Sequence, residues 1–245
     1  MKIRRKPPGY AACLVAGCLL VIMACNKDDF GGNSGRFTDP RDNRDYAWIR
    51  IGTQIWMAEN LAWLPAVDPP SASSGTLPLY YVSGYEGHDA EEAAATRAWR
   101  EYGVFYNWTA ALAGADASDD ETSTIRGACP EGWHIPSDRE WDLVVNFLGG
   151  EYTAGKLMKS RYGWETYEKI PGRGDNSSGF NGIPAGGRNT AGGFYDYGFN
   201  ALFWSTTGYN EFSAWYRYLG YFHNGVNRYF SNKSAGFSVR CVKDG

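Results

Sequence analysis

Few residues of the sequence have the types and spacing that catalysis or metal binding requires. Its three histidines lie in unrelated segments: His88, His134 and His223. Neither Cys129 nor Cys241 has a histidine or a second cysteine at the spacing of a zinc site. Glu140 could serve as a general acid, but it stands three residues after Ser137 and so also fits a helix capping box, which we favour. The sequence thus predicts no catalytic residue, no metal site and no cofactor, and hence a protein that is not an enzyme.

A glycine-rich segment at residues 179–188 (GFNGIPAGGR) has a composition that would permit anion binding. Consecutive glycines allow positive φ angles and a close approach of the backbone, so that N–H groups could surround an anion. The segment contains neither the lysine of a P-loop nor the glycine spacing of a dinucleotide-binding fold. A tight structural turn is therefore the interpretation that we favour.

The composition argues against a nucleic-acid-binding protein and indicates the type of fold. The 245 residues include 24 Lys and Arg against 27 Asp and Glu, so the chain lacks the basic excess that nucleic-acid binding requires. We therefore expect no nucleic-acid partner. Aromatic residues make up 16% of the chain and 31 residues are glycine, which together indicate a loop-rich, sheet-containing domain with an aromatic core.

The N-terminal residues indicate export. Basic residues at positions 2, 4, 5 and 6 precede an apolar run at residues 11–24, which is shorter than the roughly 20 residues that span a bilayer. This pattern is typical of a secretory signal peptide. Residues 22–25 (IMAC) resemble the bacterial lipobox, whose cysteine becomes lipid-modified. We predict a lipoprotein signal peptide at residues 1–24 and a lipid anchor on Cys25, with an ordinary cysteine-containing signal peptide as the alternative.

Residues 25–45 are predicted to form a flexible tether, because they are rich in Gly, Asn and Asp and lack apolar periodicity. Residues 1–24 hold four basic and no acidic residues, so their removal changes the net charge from −3 to −7. We expect electrostatic repulsion to keep the acidic domain at a distance from an anionic membrane. Residues 26–29 (NKDD) also resemble the export signal of surface-exposed lipoproteins of the Bacteroidetes. Together these features predict an outer-membrane lipoprotein, exposed at the surface of a Gram-negative, Bacteroidetes-like cell.

Export would leave Cys129 and Cys241 in an oxidising compartment, where an isolated pair is expected to form a disulfide. Two free buried thiols and a metal-binding or catalytic pair are the alternatives. A disulfide would close a loop of about 112 residues, which the chain-entropy relation values at roughly 4–5 kcal/mol.

Alternating apolar residues predict strands near both ends of the domain. A hairpin is expected at residues 46–52 and 54–57, a short strand at residues 79–82, and further strands at residues 201–205, 213–221, 226–230 and 236–242. Asn224-Gly225 is the strongest turn signal between two of these runs.

Capping residues and apolar spacing predict four helices. They are expected from Asp89 to about Glu101, at residues 105–113, from Ser137 to residue 148, and near residues 153–160. Residues 65–78 and 114–127 are expected to form loops.

Six blocks in chain order resemble one family. They are residues 54–61 (QIWMAENL), 102–108 (YGVFYNW) with Ala110 and Ala111, 129–136 (CPEGWHIP) with Glu140 and Trp141, 184–188 (PAGGR), 203–205 (FWS) and 238–241 (SVRC). The blocks resemble the Fibrobacter succinogenes major paralogous domain, here at residues 46–245. The resemblance assigns a structural role to nine residues: Trp56, Asn60, Trp108, Trp133, Pro136, Glu140, Trp141, Trp204 and Arg240. Members of that family are secreted or surface proteins, mostly without an assigned activity.

Residues 133–141 (WHIPSDREW) and 236–240 (GFSVR) are more remotely similar to formylglycine-generating enzymes and to C-type-lectin-like domains. This similarity implies an α+β, C-type-lectin-like domain with a twisted antiparallel sheet, two main helices and long irregular loops. The enzymes use a close cysteine pair late in the chain, where this sequence has Cys241 alone. The triplets by which the lectins bind calcium do not occur in it either. The similarity therefore implies neither oxygen-dependent chemistry nor calcium-dependent sugar binding.

The dense aromatic residues of 194–230 favour a binding module for a glycan or a surface-protein ligand, since aromatic rings offer flat apolar faces to sugars. The candidate ligand-binding residues are Arg188, Tyr195, Tyr197, Phe199 and Trp215. A structural or accessory subunit of a surface assembly is the alternative. An enzyme distantly related to formylglycine-generating enzymes is the third hypothesis, which a cleft shared by Arg188, His134 and Glu140 would favour.

Overall fold

The computed structural model describes residues 30–116, 118 and 124–245. Its strands are β1 (Ser34–Asp39), β2 (Arg44–Ile51), β3 (Gln54–Met57), β4 (Tyr80–Tyr81), β5 (Phe105–Tyr106), β6 (Trp133–His134), β7 (Thr166–Tyr167), β8 (Ile170–Pro171), β9 (Gly187–Arg188), β10 (Phe194–Tyr195), β11 (Asn200–Gly208), β12 (Ser213–Gly220), β13 (Val226–Asn232) and β14 (Val242–Lys243). Its helices are α1 (Ala90–Ala94), α2 (Arg97–Tyr102), α3 (Trp108–Ala111), α4 (Asp138–Phe147) and α5 (Ala154–Met158). The described chain is thus a sheet-rich α+β domain.

The larger sheet has the strand order β1-β2-β3-β14-β6, and all its neighbours are antiparallel. The predicted β2–β3 hairpin is confirmed, with Ile51 paired to Gln54 around a two-residue turn. Gly52 has a φ of 61° in that turn, a conformation that glycine adopts without steric cost. The C-terminal strand β14 enters the sheet between β3 and β6, so the two ends of the domain share one sheet.

The prediction of a flexible tether over residues 25–45 is wrong for its second half. β1 lies within that range and pairs along its whole length with β2. The Phe37 ring is buried and stacks on Trp133 with a centroid distance of 4.5 Å. A single aromatic residue among polar neighbours gives no periodic signal, yet its burial anchors the strand. The predicted signal peptide and Cys25 lie outside the described residues.

A second sheet contains β11, β12 and β13, joined by antiparallel hairpins. The hairpin predicted between the two runs is confirmed, since β12 and β13 are antiparallel and Leu219 pairs with Val226. Its connection is the six residues 220–225, so Asn224-Gly225 lies at the end of a longer loop and does not form a two-residue turn. The strand predicted at 236–242 is assigned only at its end, as β14. The residues before it still hydrogen-bond on both sides: Ser238 exchanges backbone hydrogen bonds with β11, and the Cys241 carbonyl accepts one from Met57. This segment therefore connects the two sheets.

Helix α4 begins and ends close to its prediction and has the predicted capping box. The Ser137 hydroxyl accepts a hydrogen bond from the backbone of Glu140, whose carboxylate accepts one from the backbone of Ser137. With ten residues it is the one long helix of the described chain, whereas the remote resemblance implied two.

Two helix predictions are wrong in detail. The helix expected from Asp89 to Glu101 is divided into α1 and α2, because Thr96 adopts an extended conformation and caps the second helix with its side chain. The helix expected at 105–113 is confined to α3, because β5 pairs with β4 and Asn107 caps the helix behind it. In both cases a residue with a short polar side chain starts a new helix inside a helix-favouring segment.

The aromatic residues pack in two clusters on opposite faces of the β2–β3 hairpin. Trp48 and Met57 pair with each other and belong to one cluster. Trp56 faces the other side, where it packs against Trp141 and Phe180 at centroid distances of 4.8 and 5.8 Å. Because side chains alternate along a strand, a single hairpin contributes to both clusters.

A disulfide joins Cys129 and Cys241, whose Cα atoms are 6.0 Å apart. Both residues are completely buried within the first aromatic cluster. The bond links the segment before β6 to the segment before β14, across 112 residues of chain. The predicted disulfide is therefore present in the structure.

The glycine-rich segment at 179–188 forms turns that are packed by the chain's own atoms. Gly186 has a φ of 69°, and a Cβ atom there would lie 2.1 Å from the Tyr195 carbonyl oxygen. A Cβ atom on Gly182 would lie 2.6 Å from the Leu219 side chain. These contacts agree with a structural turn, since neither glycine leaves room for an anion on that side.

Candidate functional site

A cleft of about 860 Å³ opens between β2, α2 and the loop that follows α5. Its lining comes from seven separate parts of the chain: Arg44 and Ala47; Ala58, Glu59 and Asn60; Arg97, Arg100, Glu101, Tyr102 and Gly103; Tyr162 and Gly163; Asn176, Asn181, Ile183 and Pro184; Tyr197; and Arg240. Since these segments are distant in sequence, only the folded chain brings them together.

The floor of the cleft is a saturated arginine. Nε and Nη2 of Arg240 donate to Oδ1 of Asn60 at 3.0 and 2.9 Å. Nη1 donates to the carbonyl oxygens of Met57 and Phe180, and Nη2 to that of Asn181. Burial lowers the pKa of Arg240 to about 9, so the group keeps its charge at neutral pH. A guanidinium has five N–H donors, and all of them are used here. Arg240 therefore shapes the floor and has no donor left for a ligand.

The mouth of the cleft carries three tyrosines. Tyr162 and Tyr197 are 63% and 60% exposed. The hydroxyl groups of Tyr197 and Tyr102 are 2.8 Å apart, and their rings meet edge to face. Burial, and then the hydrogen bond with Tyr197, raises the pKa of Tyr102. The Asn60 side chain donates to the Tyr102 carbonyl oxygen at 3.0 Å. Asn60, which contacts Arg240 in the floor, thus also holds the backbone of Tyr102 at the mouth.

Two asparagines fix the loop on the opposite wall. The backbone N–H of Asn181 donates to Oδ1 of Asn176 at 2.8 Å. Both residues have positive φ angles, of 55° and 51°, which asparagine tolerates better than most residues. The Asn181 amide also lies 3.4 Å from the Tyr162 hydroxyl group. This wall thus presents amide groups next to an exposed ring.

The carboxylates of the cleft are held by nearby donors. Glu59 accepts a hydrogen bond from the backbone N–H of Ala47 at 2.9 Å. Glu101 pairs with Arg97 at 2.7 Å, and this hydrogen bond lowers the pKa of Glu101. With its amides, carboxylates and exposed rings, the cleft is suited to hydrogen-bond a polyhydroxyl ligand while a ring face covers it.

Of the predicted ligand-binding residues, Tyr197 alone lines this cleft. Arg188 is fully buried, and its guanidinium donates to the carbonyl oxygens of Pro70, Ala72 and Ser234. Its prediction as a ligand-binding residue is therefore wrong, because its side chain is used to hold two loops together.

The other three predicted residues lie at separate places. Tyr195 lines a small pocket of about 190 Å³ beside β12, and burial raises its pKa. Phe199 packs edge to face on Tyr221 at 4.9 Å. Trp215 is covered by the Arg228 guanidinium, 3.3 Å from its ring centroid. The expectation of one shared aromatic site in 194–230 is wrong, since Tyr195 lies on β10, Phe199 directly before β11 and Trp215 on β12, each with different neighbours.

The nine residues assigned a structural role lie in the core or at a helix cap. Trp56, Trp141 and Trp204 are completely buried, and Trp108 and Trp133 nearly so. The indole N–H groups of Trp108 and Trp204 donate to the carbonyl oxygens of Ser205 and Tyr106, both at 2.9 Å. The Pro136 carbonyl oxygen accepts a hydrogen bond from Thr206. Asn60, Arg240 and Glu140 have the contacts described above.

His134 is held between two carboxylates away from the cleft. Its Nε2 lies 2.7 Å from Oε1 of Glu140, and its Nδ1 lies 2.7 Å from Oδ1 of Asp244. Burial opposes the charged ring, but the hydrogen bonds and charges of the two carboxylates outweigh it and raise the pKa of His134. For Glu140, burial is likewise outweighed by His134 and Ser137, so its pKa is lowered. The contacts fasten the C-terminus to the cap of α4.

We expect this contact to make stability depend on pH. Because the folded pKa of His134 is above its unfolded value of about 6.5, the stabilisation is complete below about pH 6.5 and is lost as the pH rises through the folded pKa. His134→Asn should therefore lower the urea midpoint more at about pH 5.5 than at about pH 8.5. His88→Asn, at an exposed histidine, is the control. Equal losses at both pH values for His134→Asn would contradict the assignment.

The three residues whose convergence would favour an enzyme are not brought together. His134 and Glu140 bind each other at the α4 cap, whereas Arg188 binds the backbone of the 70–72 loop. Within the described residues, no group of three or more His, Cys, Asp and Glu side chains could hold a metal ion. No helix in the described part of the chain is long and apolar enough to cross a membrane.

The family model described as the Fibrobacter succinogenes major domain matches residues 49–243. The match covers most of the chain and includes all six sequence blocks. The chain belongs to this family. Among curated proteins and solved structures, none matches it.

In this Fibrobacter succinogenes major domain, the family match includes all of the cleft except two residues. Arg44 and Ala47 precede the matched residues, on the first half of β2. Tyr162 and Tyr102 line the cleft but were not among the residues predicted to bind a ligand. Tyr102 begins one of the family blocks, which was its only signal, and Tyr162 stands in a polar segment without a periodic pattern.

Proposed function

We propose that the protein is a lipid-anchored, non-enzymatic binding module at the surface of a Gram-negative, Bacteroidetes-like bacterium, and that the cleft binds a glycan. The observation that supports this most directly is the combination of exposed Tyr162 and Tyr197 rings with the fixed amide and carboxylate groups of the cleft. Sugars need both an apolar ring face and directed hydrogen bonds. The remote similarity to C-type-lectin-like domains is part of the same proposal.

The electrostatics of the cleft support a binding role over a hydrolytic one. A general acid that acts at neutral pH needs a raised pKa. Glu101 has a lowered pKa because Arg97 donates to it. Arg240, the most deeply buried charge in the cleft, has all its donors used within the protein.

The anchor would hold the domain close to the membrane. Phe30 packs against Trp48 and Trp133 at centroid distances of 5.2 and 5.7 Å. If Cys25 carries the lipid, the covalent chain to Phe30 can span at most about 18 Å. The distance between the membrane and the domain would therefore be shorter than a flexible tether over residues 25–45 allows. Loss of the protein from the membrane fraction in Cys25→Ala would support the anchor, and unchanged fractionation would contradict it.

Removing the two exposed rings tests the glycan proposal. We expect Tyr162→Ala with Tyr197→Ala to weaken retention on an array of polysaccharides and host glycans by at least about tenfold, since each ring would lose its stacking contact. Binding to the array would be measured with the full-length chain in detergent. Tyr152→Ala, at a tyrosine that is 81% exposed and outside the cleft, is the matched control. Retention that survives the double replacement would place the ligand elsewhere, and no retention by the unaltered chain would reject the glycan.

A structural or accessory subunit of a surface assembly is the second candidate. An exposed aromatic pair of Tyr209 and Phe230 favours it, with the two rings stacked at a centroid distance of 4.0 Å. Exposed aromatic groups are typical of protein interfaces. Co-purification of a fixed partner from native membranes, lost in Phe230→Asp, would support this candidate over the glycan.

A further inference from the structure

The cleft has the opposite charge balance to the protein around it. Four arginines and two glutamates line it. The chain as a whole has a net charge of −3, and residues 25–245 have −7, because residues 1–24 contain four basic and no acidic residues. A locally basic cleft in an acidic protein attracts anions to that position.

Two of the four arginines are already engaged by other groups of the protein. Arg240 uses all its donors within the floor, as described above. Arg97 donates to Glu101 at 2.7 Å. The guanidinium groups that are left to contact a ligand are therefore those of Arg44 and Arg100.

Arg44 is held in place mainly by aromatic rings, with one long ion pair. Its guanidinium lies 4.6 Å from the Trp99 ring centroid and 5.5 Å from that of Tyr46. The nearest carboxylate oxygen, on Glu59, is 4.0 Å from Nη2, at the limit of an ion pair. The side chain is 19% exposed, so the head group is ordered but still reaches the cleft.

The donors of Arg44 are mostly unused. Nε is buried and has no hydrogen-bond partner, and the contact of Nη2 with the Arg100 carbonyl oxygen is long, at 3.4 Å. Within the described residues, Nη1 makes no hydrogen bond, and it is not completely buried. An ordered guanidinium with free N–H groups matches the two oxygens of a carboxylate.

Arg100 lines the same cleft and adds a second positive charge to it. Its Nη1 donates to the Ala95 carbonyl oxygen at 2.7 Å, and its side chain is exposed. Two residues further along α2, Tyr102 contacts Tyr197 at the mouth. The arginines and the tyrosines thus belong to one continuous wall.

We infer that the cleft binds an acidic sugar, with the ring carboxylate of a uronic acid on Arg44 and Arg100 and the pyranose face on the mouth tyrosines. This inference rests on the proposed glycan-binding function and specifies the class of ligand. Neutral sugars would leave the donors of Arg44 unfilled, which costs affinity in a partly buried site.

The test compares each acid with its own methyl ester. Trimers of galacturonate, glucuronate and mannuronate, and the same trimers as methyl esters, would be titrated calorimetrically into the full-length chain in detergent. The ester keeps the ring and its hydroxyl groups but removes the charge. We expect at least one acid to bind about tenfold or more tightly than its ester.

Two variants connect that preference to the arginines. Arg44→Gln and Arg100→Gln should each weaken binding of the preferred acid by about tenfold and leave the binding of its ester unchanged. Arg139→Gln removes the same charge from an exposed position on α4 and should have no effect. Because Arg100 is exposed, its variant is informative even if Arg44→Gln fails to fold.

The outcomes separate this inference from the proposed function. Equal binding of acid and ester, or binding of neutral or sulfated glycans without any uronate, would overturn the acidic-sugar inference and leave glycan binding standing. An acid preference that both arginine variants retain would also overturn it. Absence of binding to every glycan would reject the proposed function itself.

Discussion

Replacing Arg240 with methionine is expected to lower the free energy of unfolding by about 3–5 kcal/mol. Its guanidinium satisfies Asn60 and three backbone carbonyl groups, all in a buried region. Methionine fills a similar volume without any donor, so these four acceptors would be left unpaired, at about 1–3 kcal/mol each before relaxation. The loss is large compared with the stability of about 5–15 kcal/mol of a typical domain.

The measurement is urea unfolding of the full-length chain, followed by tryptophan fluorescence. Arg240→Lys keeps the charge but has only three donors in a different geometry, so we expect an intermediate loss. Arg139→Met, at an exposed arginine, should change the free energy of unfolding by less than about 0.5 kcal/mol. An unfolding midpoint of Arg240→Met equal to that of the unaltered protein would show that Asn60 and the carbonyl groups find other partners.

The second large effect is expected from the disulfide. Replacing both Cys129 and Cys241 with alanine should lower the free energy of unfolding by about 4–5 kcal/mol, because the unfolded chain would no longer be constrained by a loop of 112 residues. Both side chains are completely buried in an aromatic cluster, so two small cavities add to the loss.

Comparing the double variant with the reduced protein separates the two causes. Reduction of the unaltered protein removes the covalent constraint but keeps the sulfur atoms, so its loss should be slightly smaller than that of the alanine pair. Urea unfolding with and without a thiol reductant measures both. A reductant that leaves the midpoint unchanged would contradict a contribution of the disulfide to stability.

These two contacts also explain why the cleft is well formed. Arg240 holds the 57–60 segment against residues 180–181, and the disulfide holds the segment before β14 to the segment before β6. A binding site is more effective when its groups are ordered before the ligand arrives, because less entropy is lost on binding. We therefore expect core variants at these positions to weaken ligand binding together with stability.

Local patterns in the sequence determined the elements whose signals are contained within a few neighbouring residues. The capping box at Ser137 and the β2–β3 hairpin are of this kind, and the structure has both. Asn224-Gly225 correctly indicated that β12 and β13 form a hairpin, although its loop has six residues. The family blocks identified the family, and the cysteine pair indicated the disulfide. The capping box, the hairpin and the family blocks are encoded in short segments, so they do not depend on the rest of the fold. The disulfide spans 112 residues and was predicted because only two cysteines follow Cys25.

The tertiary structure decided which residues meet. The aromatic residues of 194–230 were predicted to form one site, but they lie on β10, β12, β13 and the connections between strands, and have different neighbours. Arg188 is buried, and its guanidinium donates to backbone carbonyl oxygens. β1 had no local signal, because its single buried ring needs Trp133 from a distant segment as its partner. The cleft itself combines β2, α2 and a loop over 100 residues further along the chain. Contacts between such distant residues form only when the whole chain folds, so no local pattern reveals them.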